Sequence, residues 1–425
     1  MTAAVRRAVL TGIGLITPIG LDANSFWESL RLRRSGVRPI EAFDASAFPV
    51  RFGGEVTGFD ARNYLDKKAR KQLKVMVRGV QFAVAASQLA LDDAGIDKER
   101  LAPERFGVVF GVGTVPSELV ELGQAAVLST DECGTVNLAR WGAQGLPEIP
   151  PMWLLNHVPN MLACHVSILH NAQGPNNSIT QTDVAGLLAL GEAFRTIRRG
   201  RADIFLTGGA DDKINPITLA RQCLFSPLSR RNDAPEKACR PFARDRDGIV
   251  LGEGGGVLVL EELGHARRRG ARIYAEVVGF GAAFDGDRTG RGLARAIRAA
   301  LKDAAIGPED LDHVNAHGYS TVEGDIWEAR GLRDVFGAGS SSLPVLAAKS
   351  YFGNLGSAGG PTELAASLLA CAHGDVPPTL NYECPDPQCP ANVITGPRAM
   401  TRPYFLKISL TEVGQCAALV CRKLE

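Results

Sequence analysis

Short apolar runs alternate along the chain with longer stretches whose apolar positions recur at helical spacing. The runs 9–11, 107–110, 203–206, 256–260, 273–278, 313–315, 345–347 and 405–408 read as strands, several closed by Gly. Stretches 71–94, 184–199, 293–305 and 358–371 read as helices. Near-continuous apolar strands between helices predict an α/β protein with buried sheets.

The two halves echo each other. Asn177, Ser178, Ile179 and Thr180 lead into the small-residue helix at 184–199, and a strand follows at Asp203. Val345, Leu346 and Ala347 lead through a Gly-rich turn into the helix at 358–371, and a strand follows later at Phe405. Both helices begin with Gly and Ala, which lets them pack closely between sheets. The repeat predicts a duplicated layered fold whose pseudo-twofold brings two helix N-termini together.

Composition narrows the function. The 425 residues carry 47 Lys and Arg against 46 Asp and Glu, a net charge of +1 with no basic domain, so nucleic acid is not the expected partner. No window holds the roughly 18 consecutive apolar residues of a membrane span. Arg6 and Arg7 precede an apolar stretch, but Thr11, Gly12, Gly14, Thr17 and Pro18 interrupt it and no cleavage site follows; a cytoplasmic protein is expected. Nine scattered cysteines predict reduced thiols. Cys384 and Cys389 lack a second ligand pair, and neither a metal nor a cofactor is expected.

Several segments carry a resemblance. They are the opening Leu10 to Gly20, the stretch from Arg240, Pro241 and Phe242 through Gly252 to Glu262, the run Val314, Asn315, Ala316, His317, Gly318, Tyr319, Ser320 and Thr321 with Gly324 and Asp325, and Ala348, Lys349 and Ser350. In this order and spacing the chain resembles the β-ketoacyl-ACP synthase family. The resemblance implies a thiolase-like α/β fold, with two duplicated βαβαβαββ halves in a layered αβαβα arrangement. The halves would be residues 1–260, with the Asp183 helix, and residues 261–425, with His317 and Asn354, joined in one unit.

Condensing members of that family use a cysteine at the start of a buried helix, where the helix dipole activates the thiol, and two histidines that assist decarboxylation and stabilise the enolate. Counting from Gly174 and Pro175, Asp183 stands at the cysteine position. A carboxylate attacking a thioester gives a mixed anhydride, more activated than the thioester, so the transfer runs uphill. Asp is a favoured N-cap, worth about 1 kcal/mol, and capping is the expected role. His317 matches the first histidine. The second position, after Lys349, Ser350, Tyr351, Phe352 and Gly353, is Asn354, which cannot shuttle a proton near neutral pH. Where active members carry a Gly-Phe-Gly-Gly loop, this chain reads Thr411, Glu412, Val413, Gly414, and Glu412 replaces the gating Phe. A carboxylate there opposes a developing oxyanion. No intact catalytic set is therefore expected.

A chain keeping this fold without its site resembles the chain-length factor, or KS-beta, of type II polyketide synthases. Such a subunit pairs with an active ketosynthase as a heterodimer that elongates chains held on an acyl carrier protein. On that reading Val115, Pro116, Val120 and Gln124, on an expected helix, line the distal tunnel or pack the interface. Lys67, Lys68, Arg70 and Lys71, with Lys74, dock the acidic carrier protein or form a solvated helix face that Asp66 caps. The segment from Pro151 to His165 resembles subunits associated with reduced or polyene chains. Its His157, Cys164 and His165 read as packing residues rather than ligands. The other functions open to the chain are a malonyl-ACP decarboxylase that makes starter units and a homodimeric acyl-carrier scaffold.

Overall fold

The computed structural model describes residues 6–424. In chain order its main elements begin with β1 (Ala8–Ile16), α1 (Arg78–Asp93), β2 (Phe106–Val112), α2 (Leu119–Ser129), α3 (Met161–His170), β3 (Asn176–Thr180), α4 (Ala185–Arg198), β4 (Ile204–Asp211), α5 (Pro216–Phe225) and β5 (Gly254–Glu262). They continue with β6 (Ala275–Phe284), α6 (Arg291–Ala304), β7 (Leu311–Asn315), α7 (Val322–Phe336), β8 (Pro344–Leu346), α8 (Gly359–His373), β9 (Asn392–Val393), β10 (Tyr404–Leu410) and β11 (Gln415–Arg422).

The strands form a mixed sheet in the order β9, β8, β7, β10, β11, β6, β1, β5, β4, β2, β3. Its halves repeat one pattern. In the first, β1 is antiparallel to β5 and β5 to β4, while β4 is parallel to β2 and β2 to β3. In the second, β6, β11, β10, β7 and β8 repeat those relations in turn. The halves meet where Ala8 and Leu10 of β1 pair with Val277 and Ala275 of β6. Helix α1 packs on the first half and α6 on the second, while α4 and α8 lie against each other in the middle layer and touch strands of both halves. Small residues allow this. A Cβ on Gly111 of β2 would sit 2.2 Å from the Gly186 amide of α4, and one on Gly191 would meet the Phe280 ring at 2.4 Å.

One helix differs from the sequence expectation. The stretch 71–94 is a 3-10 segment, Ala69–Val75, then extended backbone at Met76, then α1. The buried Met76 side chain breaks the continuity, and its carbonyl accepts from Gln81 Nε2 at 2.9 Å. The apolar stretch beginning at Pro151 divides into a short helix, Trp153–His157, and α3, because Pro159 interrupts it. All nine cysteines are free thiols. Among the described residues no metal-ligand cluster occurs and no helix is long and apolar enough to cross a membrane.

Candidate functional site

The start of α4, the loop after β4, the junction after β7 and the turn between β10 and β11 converge at Asp183. Thr182 takes a positive φ of 46°, and one 3-10 turn, Thr182–Val184, precedes the helix. The N-cap of α4 is therefore Val184, with no side-chain cap. The expected capping role of Asp183 fails for that reason. Its carboxylate turns instead to side chains distant in sequence. Lys213 Nζ donates to Asp183 Oδ1 at 3.0 Å, and the Tyr319 hydroxyl donates to Oδ2 at 2.8 Å. The same hydroxyl also lies 3.1 Å from the Leu410 carbonyl oxygen.

These contacts set the charge. Burial alone would raise the Asp183 pKa, but the Lys213 ammonium and the Tyr319 hydroxyl outweigh it, and the carboxyl is held below its ordinary range. Burial opposes the charge on Lys213, yet Asp183 and Asp211 more than restore it and its pKa rises. Asp211 is pushed up to about 6, chiefly by burial. Asp183 is thus an ionised, doubly hydrogen-bonded partner. Neither Lys213 nor Tyr319 was assigned a role from sequence, although Tyr319 lies inside a quoted motif and Lys213 ends the unusual run Asp211, Asp212, Lys213.

His317 is buried behind this pair, its ring edge-on to Tyr319 with centroids 4.1 Å apart. Its backbone N–H donates to Glu328 at 2.7 Å. Lys349 Nζ lies 3.4 Å from His317 Nδ1; an ammonium only donates, so the imidazole proton sits on Nε2, which has no protein partner. Lys349 and Lys407 both pair with Glu363, and Lys407 also donates to the Ala316 carbonyl at 3.0 Å. Burial, followed by the charges of Lys349, Lys407 and Lys213, drives the His317 pKa well down, so the ring is neutral at pH 7. The sign of the linkage follows. A base with a depressed folded pKa stabilises the fold above its unfolded pKa, near 6.5, and that stability drains away as pH falls below it. A His317→Gln variant should accordingly lose less stability than the parent between pH 7 and pH 5 in urea titrations.

Asn354 occupies the same cavity as Asp183, and its Oδ1 accepts from the Gly356 amide at 3.1 Å. The cavity is small, about 170 Å³, and polar, lined among others by Asp183, Asp211, Asp212, Lys213, Arg221 and Glu412. An outer groove of about 880 Å³ runs past Phe225, Arg288, Tyr319 and Arg330. Glu412 lines both spaces, so it stands at the partition between them. Burial and the Asp183 charge raise its pKa, against the pull of Lys213 and Arg288. Tyr319 lines the groove and donates its hydroxyl to Asp183.

The remaining sequence candidates lie further out. Val115 and Pro116 precede α2 and border a void of about 10 Å³, room for about one water, which Asp211 and Asp212 also line. Val120 and Gln124 stand exposed on α2. Lys67, Lys68, Arg70 and Lys71 are exposed around the 3-10 segment, and Asp66 Oδ1 accepts from the amides of Lys68 and Ala69. His157 bridges Glu121, at 3.2 Å, and the Trp153 carbonyl, at 2.7 Å, while His165 is buried without a partner.

Comparison with known proteins places this geometry. Residues 6–266 match the β-ketoacyl synthase N-terminal domain and residues 274–383 the C-terminal domain. The chain belongs to the β-ketoacyl synthase family. A 3-oxoacyl-[acyl-carrier-protein] synthase 2 of Synechocystis sp. is 39% identical over 427 residues, covering 99% of both chains. The enzyme of that name from Vibrio cholerae is 37% identical over 388 residues, covering 90% of each. Among solved structures, the ishigamide ketosynthase/chain length factor superposes with a TM-score of 0.87 at 32% identity, covering 99% of this chain and 100% of that one. The AntDE:AntF complex, a type II PKS acyl-carrier protein with its ketosynthase, gives 0.84 at 29% identity, with 99% and 100% covered. The ketosynthase thiolase-like fold, with its layered sheet and helices, is the fold expected from the motifs.

Proposed function

We propose that the chain is a non-catalytic ketosynthase-like subunit, a chain-length factor. It pairs with an active ketosynthase in the cytoplasm and helps set the length of polyketide or fatty acyl chains built on an acyl carrier protein. One observation carries this reading: the nucleophile position holds a carboxylate already committed to Lys213 and Tyr319. Asn354 in the cavity and Glu412 at the partition add two more departures from the condensing pattern. The inner cavity is lined by the carboxyl groups of Asp183, Asp211, Asp212 and Glu412 and the cations Lys213 and Arg221, a poor lining for an apolar acyl chain, which favours chain growth in the partner. Val120 and Gln124, exposed on α2, then shape the far end of the partner's tunnel, and the Lys67 to Lys71 cluster meets the carrier protein. The curated relatives carry the name of a condensing enzyme, which makes a direct assay necessary. Reconstitution should give a one-to-one complex with a ketosynthase bearing intact Cys, His and His, elongation requiring both chains and none from this chain alone. Elongation by this chain without the partner contradicts the proposal.

A second reading has one observation in its favour. His317 is a neutral imidazole with a free Nε2–H, able to donate to a thioester carbonyl during malonyl-ACP decarboxylation. Asp183 would repel the malonyl carboxylate, and it is already held by Lys213 and Tyr319. Incubation with malonyl-ACP should therefore yield no acetyl-ACP by mass spectrometry. Turnover that His317→Ala abolishes would favour the decarboxylase.

A further inference from the structure

A cavity of about 640 Å³ opens beside Asp312, near the start of β7, and Pro344, at the start of β8. His317 follows the other end of β7, and none of the residues lining this cavity lines the spaces around Asp183. The volume falls in the range of small-molecule sites, about 300–1,000 Å³.

Part of the lining is built around the buried Asp312. Its Oδ1 accepts from Arg398 Nη1 at 2.7 Å and lies 3.0 Å from His313 Nδ1. Its Oδ2 accepts from the Thr401 amide at 2.8 Å and the Arg402 amide at 3.2 Å. Burial opposes the charge, but the bonds from His313, Arg398 and Thr401 outweigh it and hold the carboxyl well below its ordinary range. Asp312 therefore offsets the Arg398 charge and fixes segment 398–402 against the strand.

Arg402 is held differently. Its Nη1 donates to the carbonyl oxygens of Glu309, at 2.6 Å, and Leu311, at 3.0 Å. These contacts anchor the guanidinium without neutralising it. Among the described residues its Nε and Nη2 have no acceptor, and no carboxylate pairs with it. That free edge is a two-donor fork of the kind that grips a carboxylate through two parallel hydrogen bonds. Glu309 also lines the cavity, but its carboxyl group lies over Gly307, where a Cβ would collide with it. The lining continues through apolar side chains, Val335 and Phe336 at the end of α7 and Leu343 and Pro344 leading into β8. A second cavity of about 190 Å³ shares Thr401 and Arg402 and adds the cation Lys423.

We propose that this cavity binds a small carboxylate with an apolar body, the carboxylate on the Nε and Nη2 edge of Arg402 and the alkyl chain along Val335, Phe336, Leu343 and Pro344. The site is separate from the Asp183 cavity and stands whether or not the chain condenses acyl groups.

Octanoate serves as the probe in isothermal titration calorimetry on the full chain, with acetate and octanol as its head and its body alone. Octanoate should bind one-to-one, with acetate and octanol each weaker by about tenfold or more. Arg402→Gln should weaken octanoate binding about tenfold. Ser342→Glu, which sets a carboxylate on the cavity lining with Arg402 unaltered, should weaken it to a similar degree while circular dichroism shows the fold retained. If Arg402→Gln unfolds the chain, the Ser342 variant decides alone. Absence of octanoate binding, octanol binding as tight as octanoate, or octanoate binding indifferent to the folded variants would overturn the proposal.

Discussion

Asp183→Ala should destabilise the protein by about 3–5 kcal/mol, the range for removing one partner of a buried ion pair. The variant leaves the Lys213 ammonium without its direct partner, with side-chain exposure of only 15%, and strips the Tyr319 hydroxyl of its acceptor. Lys213→Met should also cost stability, since it leaves Asp183 with Tyr319 alone. The double variant, Asp183→Ala with Lys213→Met, should recover more than half of the summed loss, because neither member of the pair is then left buried without the other. Urea unfolding of the four proteins measures the coupling directly. The pH dependence gives a second signature. The folded Asp183 pKa is depressed, so the stability it contributes is present above its unfolded value, near 3.8, and is lost as pH falls through the folded value. The gap between parent and Asp183→Ala should therefore close in acid. Additive single losses would mean that the contact carries no energy.

Asp183→Cys should fail to create a condensing enzyme. The new thiol would sit beside the Lys213 ammonium, which favours thiolate, so rapid alkylation by iodoacetamide is expected. Nucleophilicity is not the only missing part. Asn354 cannot exchange a proton, a deficit of about 10²–10⁴-fold for a general acid–base group. On the non-catalytic reading, Glu412 at the partition stands in for a loop that supplies an oxyanion donor, and losing one such donor costs about 10²–10³-fold. Fast alkylation with no 3-oxoacyl-ACP product is the expected pair of results, while robust elongation by the single variant would show that the three departures are not independent.

Much of the fold was legible because its signals are local. Apolar runs ending in Gly marked β1, β2 and β4, and the echo between the segments around α4 and α8 anticipated the repeated strand order seen in the sheet. The break before α1 was not legible, since it depends on burial of Met76 rather than on any Pro or Gly. At the site, position 183 could be counted from Gly174 and Pro175, but its role could not be read. Helix-start statistics favour a cap, and here the partners lie 30 and 136 residues further along the chain. Lys213 carried a usable signal all the same: a cation directly following two acids at the end of a fully buried strand needs a buried partner. Tyr319 was visible as a bulky residue between Gly318 and Ser320, though only the packed structure sets its hydroxyl against Asp183.

Intact-protein mass spectrometry of the reconstituted complex, quenched during turnover with acyl-ACP and malonyl-ACP, bears most directly on whether this chain takes part in bond making. The ketosynthase subunit should gain the acyl mass while this chain keeps its unmodified mass throughout. An acyl adduct on this chain that is chased onward to the carrier protein would contradict the account.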